Sequence, residues 1–436
     1  MNANALLTDL YQLTMLQAYC REGLVDLASF ELFVRKLPPR RNFLVAAGLE
    51  QLLEYLEAFH FSDEECAWLA RQPGFTSEFV ETLAGMRFTG DVEAMPEGTV
   101  FFQNEPIVRI TAPLPEAQIV ETRLINIMHL QSMIASKAVR SVLAAPDKLL
   151  VDFGMRRAHG AEAGLMAARA SYLAGFAGTS NVLAGKLFGI PMFGTMAHSY
   201  VMAHQDEAEA FIRFAESLPG NAALLIDTYD TLEAARKITT LAPSLRALGI
   251  PIQSVRLDSG DLGELAKSVR DIFDRGDLAD CQIFASGDLD EQEIKKLLDA
   301  GACIDGFGIG TRMTTSADLP YLNCAYKLQE YAGIPRRKRS PGKETWPGRK
   351  RVCRFYDGQG FMRHDLLSSE GEEGDGEVLM APVMRQGRRL HRLETLEIAK
   401  ERLRCQLDRL PPALRSIETE ATYPVLVSDG LRQLHS

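Results

Sequence analysis

The residues of this 436-residue chain that could do chemistry lie directly after short apolar runs in its central part. The positions that follow these runs combine arginines, small hydroxyl residues, glycines and carboxylates. Small residues let backbone N–H groups approach phosphate oxygens, arginines neutralise their charge, and carboxylates can hold Mg²⁺. We therefore predict a site for a phosphorylated substrate. The candidate residues are Arg156, Thr179, Ser180, Thr195, His198, Arg256, Asp258, Ser259, Gly260, Ser286, Gly287, Gly308, Gly310 and Thr311.

The apolar runs alternate with stretches of helical periodicity, which predicts repeated strand–loop–helix units. Units repeated this often indicate a parallel sheet, and their number favours a closed α/β barrel over an open doubly wound sheet. The carboxyl ends of the strands carry the site in either architecture. The predicted strand-and-loop segments are 149–160, 178–189, 191–199, 223–231, 252–262, 281–289 and 304–311.

The flanking parts of the chain have a different pattern. The spacing of apolar residues predicts helices over 5–22 and 48–59, and alternating apolar residues between them predict a strand. Turn signals within 88–114 predict a small antiparallel β unit. A long helix is predicted from Pro115 to Leu143. After the central part come a basic segment, a probable hairpin and an acidic run. The predicted domains are an N-terminal α+β domain (1–143, which may pack with the C-terminal region), a catalytic barrel (144–330) and a C-terminal region with a basic loop, a hairpin and helices (331–436).

Composition excludes several classes of protein. Hydrophobic residues make up 46% and charged residues 24%, which is ordinary for a globular chain and excludes a disordered or fibrous one. The net charge of −10 argues against a nucleic-acid binder, because no overall positive field would attract phosphate backbones. The seven cysteines are scattered without a CxxC pair, so we expect neither a disulfide framework nor a zinc site, and a cytoplasmic location. An apolar run long enough to cross a membrane is not present.

Three local patterns suggest other sites but match them poorly. The turn GFGIGT lacks the third glycine of a dinucleotide fingerprint, where Thr311 stands, and it comes last in the series of units. ALLIDTYDT resembles the strand and acidic loop of one phosphoribosyltransferase fold. That loop usually has two adjacent acids, whereas here Thr228 follows Asp227. His198 and His204 are six residues apart, which places them on different faces of a helix and excludes a shared metal.

Taken together, the segments of the chain resemble nicotinate phosphoribosyltransferases, ATP-coupled enzymes that make nicotinate mononucleotide for NAD synthesis. The resemblance implies an irregular type II phosphoribosyltransferase α/β barrel with an N-terminal α+β domain and a small C-terminal region. It covers almost the whole chain in the order of the family and is weakest over 363–436. The matching segments are TDLYQLTM (8–15), FELFVRKLP (30–38), DFGMRRAHG (152–160), GTSNVLAGKLFGIPMFGTMAHSY (178–200), VRLDSGDL (255–262), FGIGT (307–311) and PGKETWPGRKRVCR (341–354).

Roles for individual residues follow from the resemblance. His198, in GTMAH, corresponds to the histidine that the family phosphorylates from ATP. Contacts to nicotinate fall on Tyr11, Thr195 and Arg256, and a phosphate contact of the donor, phosphoribosyl pyrophosphate, falls on Thr311. Arg156 is a further candidate ligand. The resemblance also implies a homodimer in which Tyr11 helps to complete the site of the second copy.

The reaction implied by the resemblance uses Mg²⁺ as a cofactor and ATP as a co-substrate. Mg²⁺ neutralises the pyrophosphate leaving group. The sequence does not divide the candidates between the metal and the ribose hydroxyls. These candidates are Asp227, Asp258, Asp261 and Asp288. The family also places the PGKxTxPG stretch near the site, so Lys343 is a candidate contact for the donor or for ATP.

Related activities remain as alternatives. Nicotinamide phosphoribosyltransferase carries an Asp in the GTS segment, where Ser180 stands here; a Ser can donate to a carboxylate, which favours nicotinate. Quinolinate phosphoribosyltransferase shares the barrel type but lacks the GTMAH histidine. A sugar-phosphate aldolase or isomerase would need a Lys or a dedicated base at a strand end, and the predicted strand ends offer no Lys. A non-catalytic scaffold would not need the intact set of site residues.

Overall fold

A computed structural model describes residues 4–220, 222–372, 374–392 and 394–435 of the chain. These residues form two compact units. The first unit combines the described positions up to Ser136 with those from Tyr321 onward, and the second runs from Lys137 to Pro320. The sequence-based boundaries were 143/144 and 330/331.

The chain up to residue 144 contains the antiparallel strands and helices expected there. The predicted long helix is divided at Val120, the residue that ends the shorter helix and precedes the longer one. The elements are α1 (Leu10–Glu22), β1 (Leu27–Val34), β2 (Leu44–Val45), α2 (Leu49–Ala58), α3 (Asp63–Leu69), α4 (Ser77–Gly85), β3 (Asp91–Ala94), β4 (Val100–Phe101), β5 (Val108–Pro113), α5 (Leu114–Ile119) and α6 (Glu121–Ala144).

The second unit contains the alternating strands and helices. They are β6 (Leu149–Asp152), α7 (Ala161–Leu173), β7 (Gly178–Thr179), α8 (Val182–Phe188), α9 (His198–Met202), α10 (Glu207–Ser217), β8 (Ala223–Leu225), α11 (Thr231–Ala247), β9 (Ser254–Leu257), α12 (Leu262–Arg275), β10 (Gln282–Ser286), α13 (Glu291–Asp299), β11 (Gly306–Ile309) and α14 (Thr311–Thr314). A 3-10 turn covers Met155–Arg157.

The strands of the second unit form one parallel sheet in the order β7-β6-β11-β10-β9-β8. β9, β10 and β11 carry buried apolar side chains, as expected for strands of a parallel sheet, and β10 packs against α12. The curled sheet with its crossover helices confirms the predicted fold class, an irregular α/β barrel. Because every strand runs in the same direction, the loops after β6, β9, β10 and β11 meet at one edge.

One predicted strand is absent from the described residues. Segment 191–197 forms only a single bridge, between Thr179 and Met192, and His198 begins α9 instead of following a strand. The neighbouring strand β7 explains the difference, because it is two residues long and gives the segment no further backbone to pair with.

The remaining elements complete the first unit. Its largest sheet has the order β13-β12-β1-β5-β3-β17-β18, and a second sheet, β16-β14-β15-β19, contains the predicted hairpin as β14 and β15. A 3-10 turn covers Pro412–Arg415. The elements are β12 (Cys324–Tyr331), β13 (Ile334–Pro335), β14 (Lys350–Tyr356), β15 (Met362–Ser369), β16 (Glu377–Val378), β17 (Ala381–Arg385), β18 (Arg388–Arg389), α15 (Leu396–Arg409), β19 (Val425–Val427) and α16 (Asp429–His435).

Strand β1 lies between β12 and β5 in the larger sheet. Apart from Leu27, all its residues are buried, although the sequence alternates in a way that predicts one exposed face. No helix in the described part of the chain is long and apolar enough to cross a membrane.

Candidate active site

A polar cleft of about 450 Å³ lies at the carboxyl ends of the parallel strands in the second unit. It brings together most of the residues that the sequence analysis selected from the loops. The lining residues are Phe153, Arg156, Arg157, Arg256, Asp258, Ser259, Gly260, Leu262, Ser286, Gly287, Asp288, Gly308, Gly310 and Thr311.

Arg256 is held in a fixed orientation by its neighbours in the cleft. Its Nε donates to Ser286 Oγ at 2.7 Å, its Nη2 to Asp258 Oδ1 at 2.6 Å and its Nη1 to Thr195 Oγ1 at 3.3 Å. The guanidinium also lies over the Phe153 ring, 5.3 Å from the ring centroid. An arginine has five N–H donors. Among the described residues, one N–H on Nη1 and one on Nη2 remain, which is the pair that a carboxylate can accept.

Asp258 connects Arg256 with His198. Burial acts to raise the pKa of Asp258, but the hydrogen bond from Ser286 (2.5 Å) and the charge of Arg256 outweigh burial and hold this pKa below its ordinary value. The other carboxylate oxygen, Oδ2, lies 3.9 Å from Nε2 of His198. Asp258 is therefore ionised at neutral pH and supplies a negative charge beside the imidazole.

His198, the first residue of α9, is about 40% exposed at its side chain. Its Nδ1 lies 3.2 Å from the hydroxyl oxygen of Thr228, in the loop after β8. This contact fixes the ring and leaves Nε2 as the nitrogen available for chemistry.

The four candidate metal ligands differ in their surroundings. Asp227 Oδ2 accepts from Asp258 N at 3.1 Å and from Ser259 Oγ at 2.5 Å, whereas its buried Oδ1 has no hydrogen-bond partner among the described residues. Asp261 Oδ1 accepts from Glu264 N at the start of α12, and Asp288 forms an ion pair with Arg312 at 2.6 Å. Within the described residues, no cluster of three or more His, Cys, Asp or Glu side chains is arranged to hold a metal.

Two glycines of the cleft permit close approaches of the chain. Gly287 has φ +104°, and a Cβ there would lie 2.2 Å from the backbone oxygen of Asp258. At Gly308 a Cβ would lie 2.4 Å from a carbon of the Phe153 ring. These positions need glycine because a side chain would displace the groups that orient Arg256.

Thr311 and the two arginines after β6 form a second, positively charged part of the lining of the cleft. Arg157 Nη1 donates to Thr311 Oγ1 at 3.2 Å, and the exposed Arg156 lies in the same 3-10 turn. Two guanidinium groups beside a helix start and the glycines of β11 make a positively charged pocket that suits phosphate oxygens.

Not all candidates line the cleft. Thr179 is buried and donates its hydroxyl to Asp152 Oδ2 at 2.8 Å, while Ser180 N donates to the Asp152 backbone oxygen at 2.8 Å. Burial raises the pKa of Asp152. Thr195 and His198 are not among the lining residues but contact residues that are: Thr195 accepts a hydrogen bond from Arg256, and His198 lies 3.9 Å from Asp258. Tyr11 belongs to the first unit, where it lies exposed on α1.

The site contains Phe153, Thr228 and Leu262, which were not selected from the sequence. Phe153 directly follows the predicted strand end, but it has no polar group and so did not meet the criterion by which candidate residues were chosen. Arg157 is one of the strand-end positions that the sequence indicates, but only its neighbour Arg156 was assigned to substrate binding. Thr228 was considered only as a mismatch to another fold, and its position next to Asp227 in a strand-end loop was the signal that could have identified it.

Models of known families match almost the whole chain. The N-terminal domain of nicotinate phosphoribosyltransferase matches residues 6–129, the family's main model matches 149–333, and its C-terminal domain matches 374–435.

Individual relatives agree with these matches. The chain is 50% identical over 432 residues to nicotinate phosphoribosyltransferase pncB2 of Mycobacterium tuberculosis, covering 99% of this chain and 93% of the relative. It is 42% identical over 357 residues to the Bacillus subtilis nicotinate phosphoribosyltransferase, covering 80% and 73% of the two chains. The crystal structure of human nicotinic acid phosphoribosyltransferase superposes with a TM-score of 0.89 at 30% identity, covering 98% of this chain and 99% of the human one.

Proposed function

The chain belongs to the nicotinate phosphoribosyltransferase family, and from this premise we propose that it transfers the phosphoribosyl group of phosphoribosyl pyrophosphate to nicotinate in NAD biosynthesis, coupled to ATP. The single observation that best supports the proposal is Arg256. Its guanidinium is held by Ser286, Asp258 and Thr195 with two N–H groups left over, which is the arrangement that a pyridine carboxylate requires.

In the proposed transfer, the ring nitrogen of nicotinate attacks the anomeric carbon of the donor. The bond from that carbon to the pyrophosphate oxygen breaks, and pyrophosphate leaves with the bonding electrons. Arg156, Arg157 and the backbone N–H groups around Gly308–Thr311 are placed to bind phosphate oxygens of the donor. Asp258 carries a negative charge into the cleft, where it favours a ribosyl carbon that develops positive charge.

His198 is the proposed acceptor of a phosphoryl group from ATP. With the Nδ1 proton donated to Thr228, the Nε2 lone pair attacks the γ-phosphorus; the bond to the β-phosphate oxygen breaks, and ADP leaves. The phosphorylated imidazole then changes the charge at the edge of the cleft beside Asp258. This change is how ATP would be coupled to donor binding or product release.

Asp227 and Asp258 fit a magnesium ion better than the other two candidates. Asp227 has a buried oxygen without a partner in the described residues, and Asp258 lines the cleft, whereas Asp261 caps a helix and Asp288 is paired with an arginine. Mg²⁺ commonly uses one or two carboxylates together with substrate phosphates. When bound, it would neutralise charge on the leaving pyrophosphate.

A direct assay tests the proposed activity. The protein is mixed with phosphoribosyl pyrophosphate and nicotinate, nicotinamide or quinolinate, with and without ATP and Mg²⁺, and mononucleotide formation is measured. We expect nicotinate mononucleotide, formed faster with ATP. Turnover of nicotinamide but not nicotinate would favour the alternative, nicotinamide phosphoribosyltransferase. Cleavage or isomerisation of a sugar phosphate without a pyridine base would favour an aldolase or isomerase.

Ser180 provides a test of base selection. Ser180→Asp introduces a carboxylate, which repels the carboxylate of nicotinate but accepts a hydrogen bond from the amide of nicotinamide. We expect weaker use of nicotinate, with Ser180→Asn as the uncharged control. Unchanged nicotinate kinetics in Ser180→Asp would refute this role.

Labelling with γ-³²P-ATP tests the phosphohistidine separately from the transfer. We expect an acid-labile label in the wild type and none in His198→Ala. His204→Ala is the matched control, because His204 lies six residues beyond His198, just past the end of α9, with its Nδ1 2.9 Å from the Tyr200 backbone oxygen. A label that survives in His198→Ala would overturn the assignment.

We also propose a cytoplasmic homodimer in which Tyr11 of one copy helps to complete the site of the other. The exposed side chain of Tyr11, next to the exposed Leu10, supports the dimer. The seven cysteines are free thiols, which supports the cytoplasmic location. Light scattering should give the mass of a dimer. Mixing inactive Tyr11→Ala with inactive His198→Ala should restore part of the activity, since mixed dimers would contain one intact site.

A further inference from the structure

Asp152, the last residue of β6, is 1% exposed and does not line the cleft, although its neighbour Phe153 does. Burial of a carboxylate costs free energy unless hydrogen bonds replace the lost water. Burial raises the pKa of this carboxyl, and the hydrogen bonds that it accepts act against the rise. The groups that donate these bonds therefore indicate what the buried carboxylate does.

Three donors from three segments of the second unit converge on this carboxylate. Gly154 N donates to Oδ1 at 2.8 Å, and Thr314 Oγ1 donates to the same oxygen at 3.4 Å. Thr179 Oγ1 donates to Oδ2 at 2.8 Å. Each donor lies within three residues of a candidate substrate-binding residue, so one side chain connects three parts of the site.

The first segment is the 3-10 turn Met155–Arg157, which follows Gly154 and holds two arginines that line the cleft. A Cβ at Gly154 would lie 1.6 Å from Thr314 Oγ1 and 3.1 Å from Asp152 Oδ1. The start of the turn therefore packs directly on these two oxygen atoms, and glycine lets its backbone N–H reach the carboxylate. A shift of the Asp152 side chain would move the turn and its arginines.

The second segment is α14, which begins at the cleft residue Thr311 and ends at Thr314. Four residues make about one turn of helix, so a bond to the last residue also restrains the first. Arg157 Nη1 donates to Thr311 Oγ1 at 3.2 Å. Through Gly154 and Thr314, Asp152 thus holds the segments of both partners in this contact.

The third segment follows β7 and contains Ser180. The fully buried Thr179 donates its hydroxyl to Asp152, and the same hydroxyl oxygen accepts from Asn181 N at 3.0 Å. Ser180 N donates to the backbone oxygen of Asp152 at 2.8 Å. The Asn181 side-chain nitrogen lies 3.2 Å from the sulfur of Met155, so this segment also contacts the turn that carries the arginines.

We propose that Asp152 is a positioning residue for the transfer, whose carboxylate fixes the phosphate pocket around Thr311 relative to the segment that carries Ser180. This pocket consists of Thr311, Arg156 and Arg157. The inference rests on the proposed function, which assigns donor phosphates to the pocket and nicotinate to Ser180. A side chain that only stabilised the second unit would change the amount of folded protein and leave the affinity of the folded fraction unaltered. Affinities of folded variants therefore separate the two roles.

Calorimetric titration with inorganic pyrophosphate tests the effect on the phosphate pocket in the full-length protein. Asp152→Asn preserves the shape of the side chain but places an amide nitrogen opposite one of the present donors. We expect pyrophosphate to bind roughly two- to tenfold more weakly, the effect of one lost hydrogen bond, and Thr314→Val to act in the same direction. Thr314→Ser keeps the hydroxyl and should bind pyrophosphate as the wild type does.

Two results of this titration would overturn the proposal. One is equal pyrophosphate affinity in the wild type, Asp152→Asn and Thr314→Val, and the other is absence of saturable binding to the wild type. The titration involves no turnover of nicotinate. If the wild type binds pyrophosphate but forms no nicotinate mononucleotide, the proposed function fails, whereas the variants still decide whether Asp152 positions the phosphate pocket.

Steady-state kinetics test the link to Ser180, and thermal unfolding confirms that each variant folds. Thr179→Val removes the hydroxyl that joins this segment to Asp152, and we expect KM for nicotinate to rise roughly two- to tenfold while kcat changes little. Thr179→Ser should restore the wild-type KM. Thr99→Val is the matched control, because Thr99 is a buried threonine of the first unit that donates to the Pro96 backbone oxygen at 2.7 Å. A wild-type KM for nicotinate in Thr179→Val, together with reduced thermal stability, would show a purely structural role and overturn the link.

Discussion

The Thr228 hydroxyl lies 3.2 Å from Nδ1 of His198, and this contact joins the loop after β8 to the first residue of α9. The nitrogen on the other side of the ring lies 3.9 Å from the Asp258 carboxylate. The imidazole is therefore held on one side by a hydroxyl and faces a charge on the other. This arrangement makes Thr228 a positioning residue for the proposed phosphoryl acceptor.

We expect Thr228→Val to slow phosphorylation of His198 by roughly two- to tenfold, the effect of one lost hydrogen bond. The ring would then sample other orientations and tautomers. The rate of incorporation of acid-labile label from γ-³²P-ATP measures the effect. Thr228→Ser keeps the hydroxyl and should retain the rate. Equal rates in the Val and Ser variants would rule out this positioning role.

Replacement of Arg256 by lysine keeps the charge but removes the planar set of donors. We expect kcat/KM for nicotinate to fall roughly ten- to hundredfold, because the three N–H groups of an ammonium cannot replace the five that the arginine offers to Asp258, Ser286, Thr195 and both oxygens of a carboxylate. Steady-state kinetics with varied nicotinate provide the measurement. Arg246→Lys, which changes an exposed ion pair with Asp277, is the matched control and should leave kcat/KM unaltered.

Gly287→Ala should destabilise the protein by about 3 kcal/mol, because it combines a positive φ with a Cβ placed against the Asp258 backbone. Gly301→Ala separates the two effects. Gly301 has φ +72° with no atom within 4 Å of a Cβ, so only the backbone strain of about 1 kcal/mol applies there. Urea denaturation measures both. Equal losses in the two variants would contradict the close approach at Gly287.

The lowered pKa of Asp258 predicts how its contribution to stability depends on pH. A carboxyl whose folded-state pKa is below its ordinary value of 3.8 stabilises the fold above that value, and the contribution is lost as the pH falls through the folded-state pKa. The difference in free energy of unfolding between wild type and Asp258→Asn should stay constant at neutral pH and decrease below about pH 4. Urea titrations across this range provide the measurement; a decrease already near pH 6 would contradict the assignment.

Much of the candidate site could be predicted from strand ends alone. Arg256, Asp258, Ser286 and Thr311 follow apolar runs, and a parallel sheet necessarily brings such positions to one edge. Single-sequence patterns carry no information on side-chain partners, so the role of Thr228 and the ring of Phe153 beneath Arg256 emerged only from the structure.

The errors in the fold have a common cause. Segment 191–197 is apolar enough for a strand, yet its neighbour β7 ends after two residues. Gln329 forms a bulge where β12 pairs with β1, with Ser29 opposite Glu330 and Phe30 opposite Leu328, and no residue type within β12 indicates it. Strand formation depends on the partner as well as on the segment itself, which is why sequence patterns locate such features poorly.

The position of β1 in its sheet also determines the order in which the protein can fold during synthesis. Residues of β1 pair with β12, whose first residue leaves the ribosome about 290 residues after the last residue of β1, or roughly 15–60 s later at ordinary rates of synthesis. During this interval one whole edge of a strongly apolar strand has no partner, while the second unit is being synthesised. The larger sheet of the first unit therefore cannot be completed until the whole second unit has been synthesised, and until then the edge of β1 that pairs with β12 is unprotected.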